Sequence, residues 1–291
     1  MRYVFIHEEE KAFPVTLLCK TMNVSRSGYY AWTKRGESNH SQENNQLVKI
    51  VKATHLRTKA SYGARRHADE ISSYGLPCGR FRARTIMNIA KVEAKQKKRF
   101  KATTDSDHKM KVSPNLLNRE FSVQAPNKAW VSDITYISTS EGWLYLAVVI
   151  DLFNREVVGW AMDQRINRHL VINATRMAVW RQKPDKGLIF HSDRGSQYCS
   201  GDFTKYIEGH GMLSSMSRKG NCWDNAVAES FFGSLKKERV YSEDYKTRRE
   251  AKSDIVDYIE MFYNSFRRHS HLGNINPREF RKQWLANKIA A

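Results

Sequence analysis

Cysteine is scarce in this chain, and what there is forms no pattern. The four cysteines, Cys19, Cys78, Cys199 and Cys222, are scattered through 291 residues with no C-x-x-C pair. A disulfide framework and a four-ligand zinc site therefore both lack support, and the cysteines read as reduced cytoplasmic thiols. Long apolar runs are missing too. Phe13–Cys19 is the longest near the start, far short of the ~20 residues of a membrane span. Glu8, Glu9 and Glu10 stand where a signal peptide would be basic and then apolar. Acidic residues are outnumbered, 30 against 49 Lys plus Arg, for a formal charge of +19. Such an excess calls for a polyanion, either nucleic acid or an anionic membrane surface, and nothing else in the chain favours the membrane. With 41% hydrophobic residues the chain can still bury a sizeable core.

The charge is uneven. Residues 1–125 carry 24 basic and 11 acidic residues, whereas 126–291 carry 25 and 19. A DNA-holding front and a more balanced back follow from that split. Residues 1–41 form a first helical segment: Val15, Leu18, Cys19 and Met22 recur at helical spacing, and Ser25 can cap a second helix. The rhythm is that of a helix-turn-helix, which reads equally as a DNA contact or as two packed helices. Residues 42–100 predict a second helical, DNA-binding unit with helices near 42–55, 63–73 and 82–91, carrying Arg65 and Arg66. Its end, Lys91–Lys101, holds six basic residues and one Glu and runs into a basic, polar linker over 101–125.

Texture changes at residue 126. Stretches 129–137, 143–150 and 156–161 are β-branched and aromatic and predict an antiparallel meander. Helix (167–180), strand (187–191), helix (203–210), strand (212–215) and helices over 225–237 and 249–268 follow. This order describes an α/β domain on one mixed five-stranded sheet flanked by helices, preceded by a small all-α region.

Three acids stand out. Asp133 sits inside an apolar strand, where an unpaired carboxylate is expensive. Asp193 follows the C-terminal end of another strand, a usual place for active-site groups. Glu229 lies on a helix covering the sheet. Each alone reads as well as a cap or ion-pair partner; together they are positioned to converge. Carboxylates without Cys or His partners favour Mg²⁺ or Mn²⁺ over zinc. Two such ions serve phosphodiester chemistry by stabilising the attacking and leaving oxygens. Asn225 shares the flank of Glu229, and Lys236 lies two turns on along the same face, as a phosphate holder or a solvated lysine.

Asp133, Asp193 and Glu229, with Lys236 seven residues after the last, resemble the DDE signature of retroviral-integrase-like recombinases. The surrounding words WVSDITYI, YLAVVIDLFNREVVGW, HSDRGSQY, SRKGNCWDNAVAESFFGSLKKE and YNSFRRHSHLGNINPREF resemble the second reading-frame product (OrfB) of IS-three family insertion sequences. VSRSGYYAW and SYGARRHADEI are similar to that family's N-terminal segments. The resemblance covers nearly the whole chain, most strongly 125–285. It implies an RNase H-like catalytic core with two Mg²⁺ ions, Mn²⁺ substituting. In that scheme Asp133 bridges both ions, Asp193 binds one and Glu229 the other. The implied activity is that of a DDE transposase. Water first cuts at an element end to free a 3′-OH, which then attacks a second phosphodiester, with no covalent protein–DNA intermediate. The implied partners are double-stranded DNA, both as element ends and as target, and further copies of the chain. An upstream reading-frame product, joined as a frameshift fusion, is the other implied partner; this chain starts with its own Met and shows no sustained heptads, so that part is expected to be absent from it. The implied setting is the bacterial cytoplasm, at the nucleoid.

Arg194, Gln197, Arg218, Lys219, Asn221, Trp223 and Asn225 cluster near the acids as expected phosphate and base contacts, with Arg65 and Arg66 contributing from the helical front. His191 is read first as structural, Asp151 as a turn residue and Asp224 as a helix cap. Trp130, Trp160 and Trp180 read as core, and Arg267, Arg268, His269 and His271 as a helix end that reaches DNA or merely solvent. Two rivals remain open: a DNA-binding regulator from a decayed element, and an RNase H-like nuclease that cuts without joining.

Overall fold

The computed structural model describes residues 2–36, 38–95, 112–118, 120–218 and 225–290. The front is helical. Helices α1 (Arg2–Glu9), α2 (Val15–Thr21) and α3 (Arg26–Lys34) close around Ile6, Leu18, Cys19 and Tyr29. Ser25 caps α3 by accepting from the Gly28 N–H at 3.0 Å. Helix α1 escapes the sequence pattern because its flank is polar. It is docked all the same, with the Tyr29 hydroxyl donating to Glu10 just beyond its end. Helices α4 (Asn39–Arg57), α5 (Ala64–Ser73) and α6 (Arg80–Ile89) form a second bundle around Leu47, Val51, Ile71, Ala83 and Ile86.

The back is a five-stranded sheet in the order β3-β2-β1-β4-β5. Strands β1 (Ala129–Thr139), β2 (Gly142–Asp151) and β3 (Val157–Asp163) form the antiparallel meander, and β4 (Ile189–Ser192) and β5 (Leu213–Met216) run parallel to β1. The sheet is covered on both faces. Val131, Leu146, Val148 and Ile150 face α9 (Ala226–Glu238) and α10 (Arg248–Asp257), while Trp130, Val149, Val158 and Phe190 face α7 (Arg168–Gln182) and α8 (Gly201–Gly209). Helix α7 comes so near β3 that a Cβ on Gly159 would stand 2.2 Å from the Ala174 carbonyl oxygen.

Several expectations change. The helix expected over 249–268 stops being α-helical after Asp257 and continues as a π-helical turn over Tyr258–Tyr263. Its buried residues Tyr258, Ile259, Phe262 and Tyr263 keep a helical apolar period, so the widening is invisible to periodicity. A last helix, α11 (Pro277–Ala290), follows. Trp130 is core but Trp180 is 76% exposed, and Trp160 is half-buried with its indole N–H donating to Glu260 at 2.8 Å. Of the stretch expected as linker, 101–111 lies outside the described residues. Beyond it the chain is strapped to β5: the Leu116 and Leu117 N–H groups donate to Ser215 Oγ at 2.9 and 3.3 Å, and Leu117 enters the core.

The α4–α6 bundle is joined to the sheet domain by a mixed contact. Tyr62 stacks on Phe266 with ring centroids 6.1 Å apart, and its hydroxyl accepts from the Arg268 N–H at 2.9 Å. Arg268 pairs with Glu70 at 2.8 Å. Arg66 pairs with Glu238 at 3.1 Å, and Glu238 also receives Arg267 at 2.8 Å and the Tyr258 hydroxyl at 2.8 Å. Arg267 and Arg268, expected at a helix end, are thus the inner half of this joint.

Candidate active site

Register sets the centre of the site. Strands β1 and β4 pair in parallel with Ser132 opposite Ser192. Asp133 and Asp193 are the next residue on each, so they leave neighbouring chains at matching positions, about 4.8 Å apart in backbone spacing. Both fall on the same face as Val131, toward α9. Alternation dictates this: Trp130 and Ile134 fill the opposite face.

The carboxylates are held by short local bonds. Asp133 Oδ1 accepts from the Ile134 N–H at 2.7 Å and Asp193 Oδ1 from the Gly195 N–H at 2.9 Å. A Cβ on Gly195 would stand 3.0 Å from that same Asp193 oxygen, so the turn after β4 has little room for a side chain. Burial, then the Asp193 charge, hold the Asp133 carboxyl well above the usual carboxylate range; Glu229 adds to this, while the Ile134 N–H and Lys236 oppose it. Tyr198 lies beneath, its hydroxyl 2.8 Å from Ser132 Oγ, and burial together with both aspartates raises its pKa.

Helix α9 supplies the other groups. Glu229, in its first turn, is exposed, and desolvation raises its carboxyl. Lys236, two turns on, is half-buried with its Nζ 4.8 Å from the centre of the Tyr136 ring. Burial lowers its pKa and Asp133 pulls it back up. The helix is anchored by Asn225, whose Nδ2 donates to the Ser132 carbonyl at 3.4 Å. Asn225, expected to contact DNA, is buried, and its Oδ1 has no hydrogen-bond partner among the described residues.

Among the described residues no three carboxylate, imidazole or thiol groups lie close enough to hold one ion together. The structure thus brings Asp133 and Asp193 side by side and places Glu229 and Lys236 within their field. The donor set is all oxygen and carries more negative charge than Lys236 balances, which suits a hard divalent cation.

The remaining candidates divide. Arg194 sits beside the pair, its Nε donating to the Ser217 carbonyl at 2.7 Å. Gln197 lies in the same turn, half-buried. Arg218 is exposed and donates to Asn118 at 2.9 Å. Lys219, Asn221 and Trp223 lie outside the described residues, as does Asp224. Arg65 is exposed, whereas Arg66, expected on DNA, is paired with Glu238 instead. His191 is structural: its Nδ1 lies 2.8 Å from Ser215 Oγ and its Nε2 3.3 Å from Ser217 Oγ, tying β4 to β5. Asp151 accepts from the Asn127 and Phe153 N–H groups, each at 2.8 Å, and burial raises its pKa to about 6.

Residues 123–222 match the integrase core domain family, and 229–285 match a second integrase core domain family. A 31 kDa protein of insertion element IS600 from Shigella sonnei is 46% identical over 92% of this chain and 98% of its own. Transposase InsF of insertion sequence IS3A from Escherichia coli K12 is 40% identical over 98% of this chain and 100% of its own. Among solved structures, a simian T-cell lymphotropic virus intasome bound to PP2A regulatory subunit B56 gamma is 15% identical, with TM-score 0.47 over 81% of this chain and 74% of that one. The HTLV-2 integrase catalytic core domain in complex with magnesium is 16% identical, with TM-score 0.42 over 54% of this chain and 97% of that one.

Proposed function

The chain belongs to the IS3 family of insertion-sequence transposases with an integrase core, and from that premise we propose that Asp133, Asp193 and Glu229 carry metal-dependent cleavage and strand transfer at element ends. The observation that supports this most directly is the matched placement of Asp133 and Asp193 on adjacent parallel strands, facing α9. Asp133, Asp193 and Glu229 would hold the divalent cations, two Mg²⁺ ions with Mn²⁺ substituting. Bound there, such ions supply Lewis-acid stabilisation of the attacking and leaving oxygens of a phosphodiester.

The chain's own groups position the DNA. Lys236, held over the Tyr136 ring with its charge favoured by Asp133, is placed to take a non-bridging phosphate oxygen. Arg194, Gln197 and Arg218 flank the path of the strand, and Lys219, Asn221 and Trp223, outside the described residues, are contacts expected from the sequence alone. In the first step water attacks a phosphodiester and releases a 3′-OH. In the second that hydroxyl attacks another phosphodiester, forming one P–O bond as another breaks, so no energy-rich cofactor is consumed. The partners are double-stranded DNA, further copies of the chain that hold both ends together, and an upstream reading-frame product as a fusion. The setting is the bacterial cytoplasm, at the nucleoid; no described helix is long and apolar enough to cross a membrane.

The test uses labelled DNA carrying element ends, with the chain alone and fused to the upstream product. Mg²⁺-dependent nicking and end-to-end joining are expected, and Asp193→Asn should lower both by about three decades, a loss of roughly 4 kcal/mol. Nicking without joining would leave a nuclease. Binding without cleavage in either form, with Mn²⁺ as well, would leave a regulator.

A further inference from the structure

A groove of about 1040 Å³ lies between the α5–α6 helices and α9, with Glu229 on its wall. Its helical side carries Arg65, Arg80, Arg84 and Lys95, and its α9 side carries Lys237. Arg80 and Arg84 are exposed and one helical turn apart on α6, so their side chains leave the same face with about 6 Å of rise between them. Their neighbours are neutralised: Arg66 by Glu238 at 3.1 Å and Arg82 by Glu43 at 2.8 Å. Among the described residues Arg65, Arg80, Arg84 and Lys237 have no carboxylate within ion-pair distance. Among the described residues two acids on the groove wall are left to oppose them. One is Glu93; the other is Glu229 itself, because Glu238 is already neutralised by Arg66 and Arg267.

Unpaired cations along one trough fit a chain of phosphates, the property shared by every stretch of DNA. Both walls belong to one polypeptide, and the Tyr62–Phe266 stack with the Arg66–Glu238 and Arg268–Glu70 pairs holds them together. We infer that the α5–α6 pair grips the backbone of one DNA strand and leads it along this groove to Glu229 of its own chain, so that each copy feeds its own catalytic site. This rests on the DNA-processing reading above and adds where the strand runs and which copy holds it.

Arg80→Glu/Arg84→Glu in the full chain tests both parts. The two side chains are exposed and make no described contact that folding needs, so an unchanged melting temperature is the folding control. Each lost phosphate contact removes about 0.9 from the slope of log K against log salt. The slope should therefore fall by about 1.8, and wild type should lose about tenfold more DNA affinity than the variant between 50 and 200 mM salt. The variant is then mixed with Asp193→Asn chains. If each copy feeds its own site, no chain in the mixture has both a working groove and a working centre, and joining stays at the level of the separate variants. Recovery toward wild type overturns delivery within one chain. An unchanged salt slope in a variant that still cleaves overturns the groove while leaving the proposed activity intact. A wild-type chain that neither binds nor cleaves DNA overturns both.

Discussion

Asp133→Asn is expected to make the metal-free protein more stable while abolishing its activity. The two aspartates leave adjacent strands about 4.8 Å apart in backbone spacing. Two unit charges at roughly that separation repel by about 3 kcal/mol at an effective dielectric constant of about 20. Burial, Asp193 and Glu229 all disfavour the ionised Asp133. Asparagine keeps the Oδ1 that accepts the Ile134 N–H and removes the charge. A gain of about 2–3 kcal/mol corresponds to a rise in melting temperature of roughly 4–12 °C for a domain of this size. Mg²⁺ should likewise stabilise the wild type, by about 2.7 kcal/mol once its concentration reaches a hundred times its Kd, and so raise its melting temperature. Asp133→Asn should lose that response. The assay is thermal unfolding of both proteins with EDTA and across a Mg²⁺ titration, and no DNA is required. A melting temperature that falls or stays put on substitution would refute the repulsion argument, and a Mg²⁺ response kept by the variant would remove Asp133 from the metal site.

Three further outcomes follow from the packing. Gly159→Ala forces α7 off β3, because its Cβ would stand 2.2 Å from the Ala174 carbonyl; urea unfolding should show a loss of about 1–3 kcal/mol or more. Arg267→Met leaves Glu238 short of its main cation and should cost about 3–5 kcal/mol at pH 7. Arg267 holds the Glu238 pKa below its ordinary value, so this stabilisation exists above the unfolded pKa and is lost on acidification; the gap between variant and wild type should narrow below about pH 4. His67 is fully buried, its ring nitrogens have no hydrogen-bond partner among the described residues, and desolvation lowers its pKa to about 4. Between about pH 6.5 and 4 the unfolded chain binds the proton that the folded chain refuses, so wild type should lose about 1.4 kcal/mol per pH unit through this one group. His67→Leu should flatten that slope in denaturant titrations run at successive pH values.

The sheet was legible because its strands write their environment into the residues. Val131, Asp133 and Thr135 alternate with Trp130, Ser132 and Ile134, and each strand lies within about two residues of where composition puts it. What escaped depends on partners distant in sequence. Arg66 and Arg267 read as surface cations because nothing near them reveals that Glu238 takes both. Asn225 reads as a DNA contact because it shares the flank of Glu229, whereas the structure buries it with its Nδ2 on the Ser132 carbonyl of β1. Trp180 read as core by residue type, yet it lies about 100° round α7 from Val179, which packs inward. For the groove a local signal was available. The i, i+4 spacing of Arg80 and Arg84 in the RFRAR stretch marks one basic face, but only the docked bundle shows what that face looks onto.

The pairing of Ser132 with Ser192 has one more consequence. Because side chains alternate along a strand, sliding β4 by a single residue would turn Asp193 away from Asp133 and end the proposed chemistry, while leaving most of the backbone ladder intact. The intervening turn at 183–188 bears no such burden. Extra residues spliced there would lengthen a surface loop at small entropic cost and leave the two acids where they are. Genetic variation in this protein should therefore be sharply graded by location: length changes tolerated between α7 and β4, and none at all within β4.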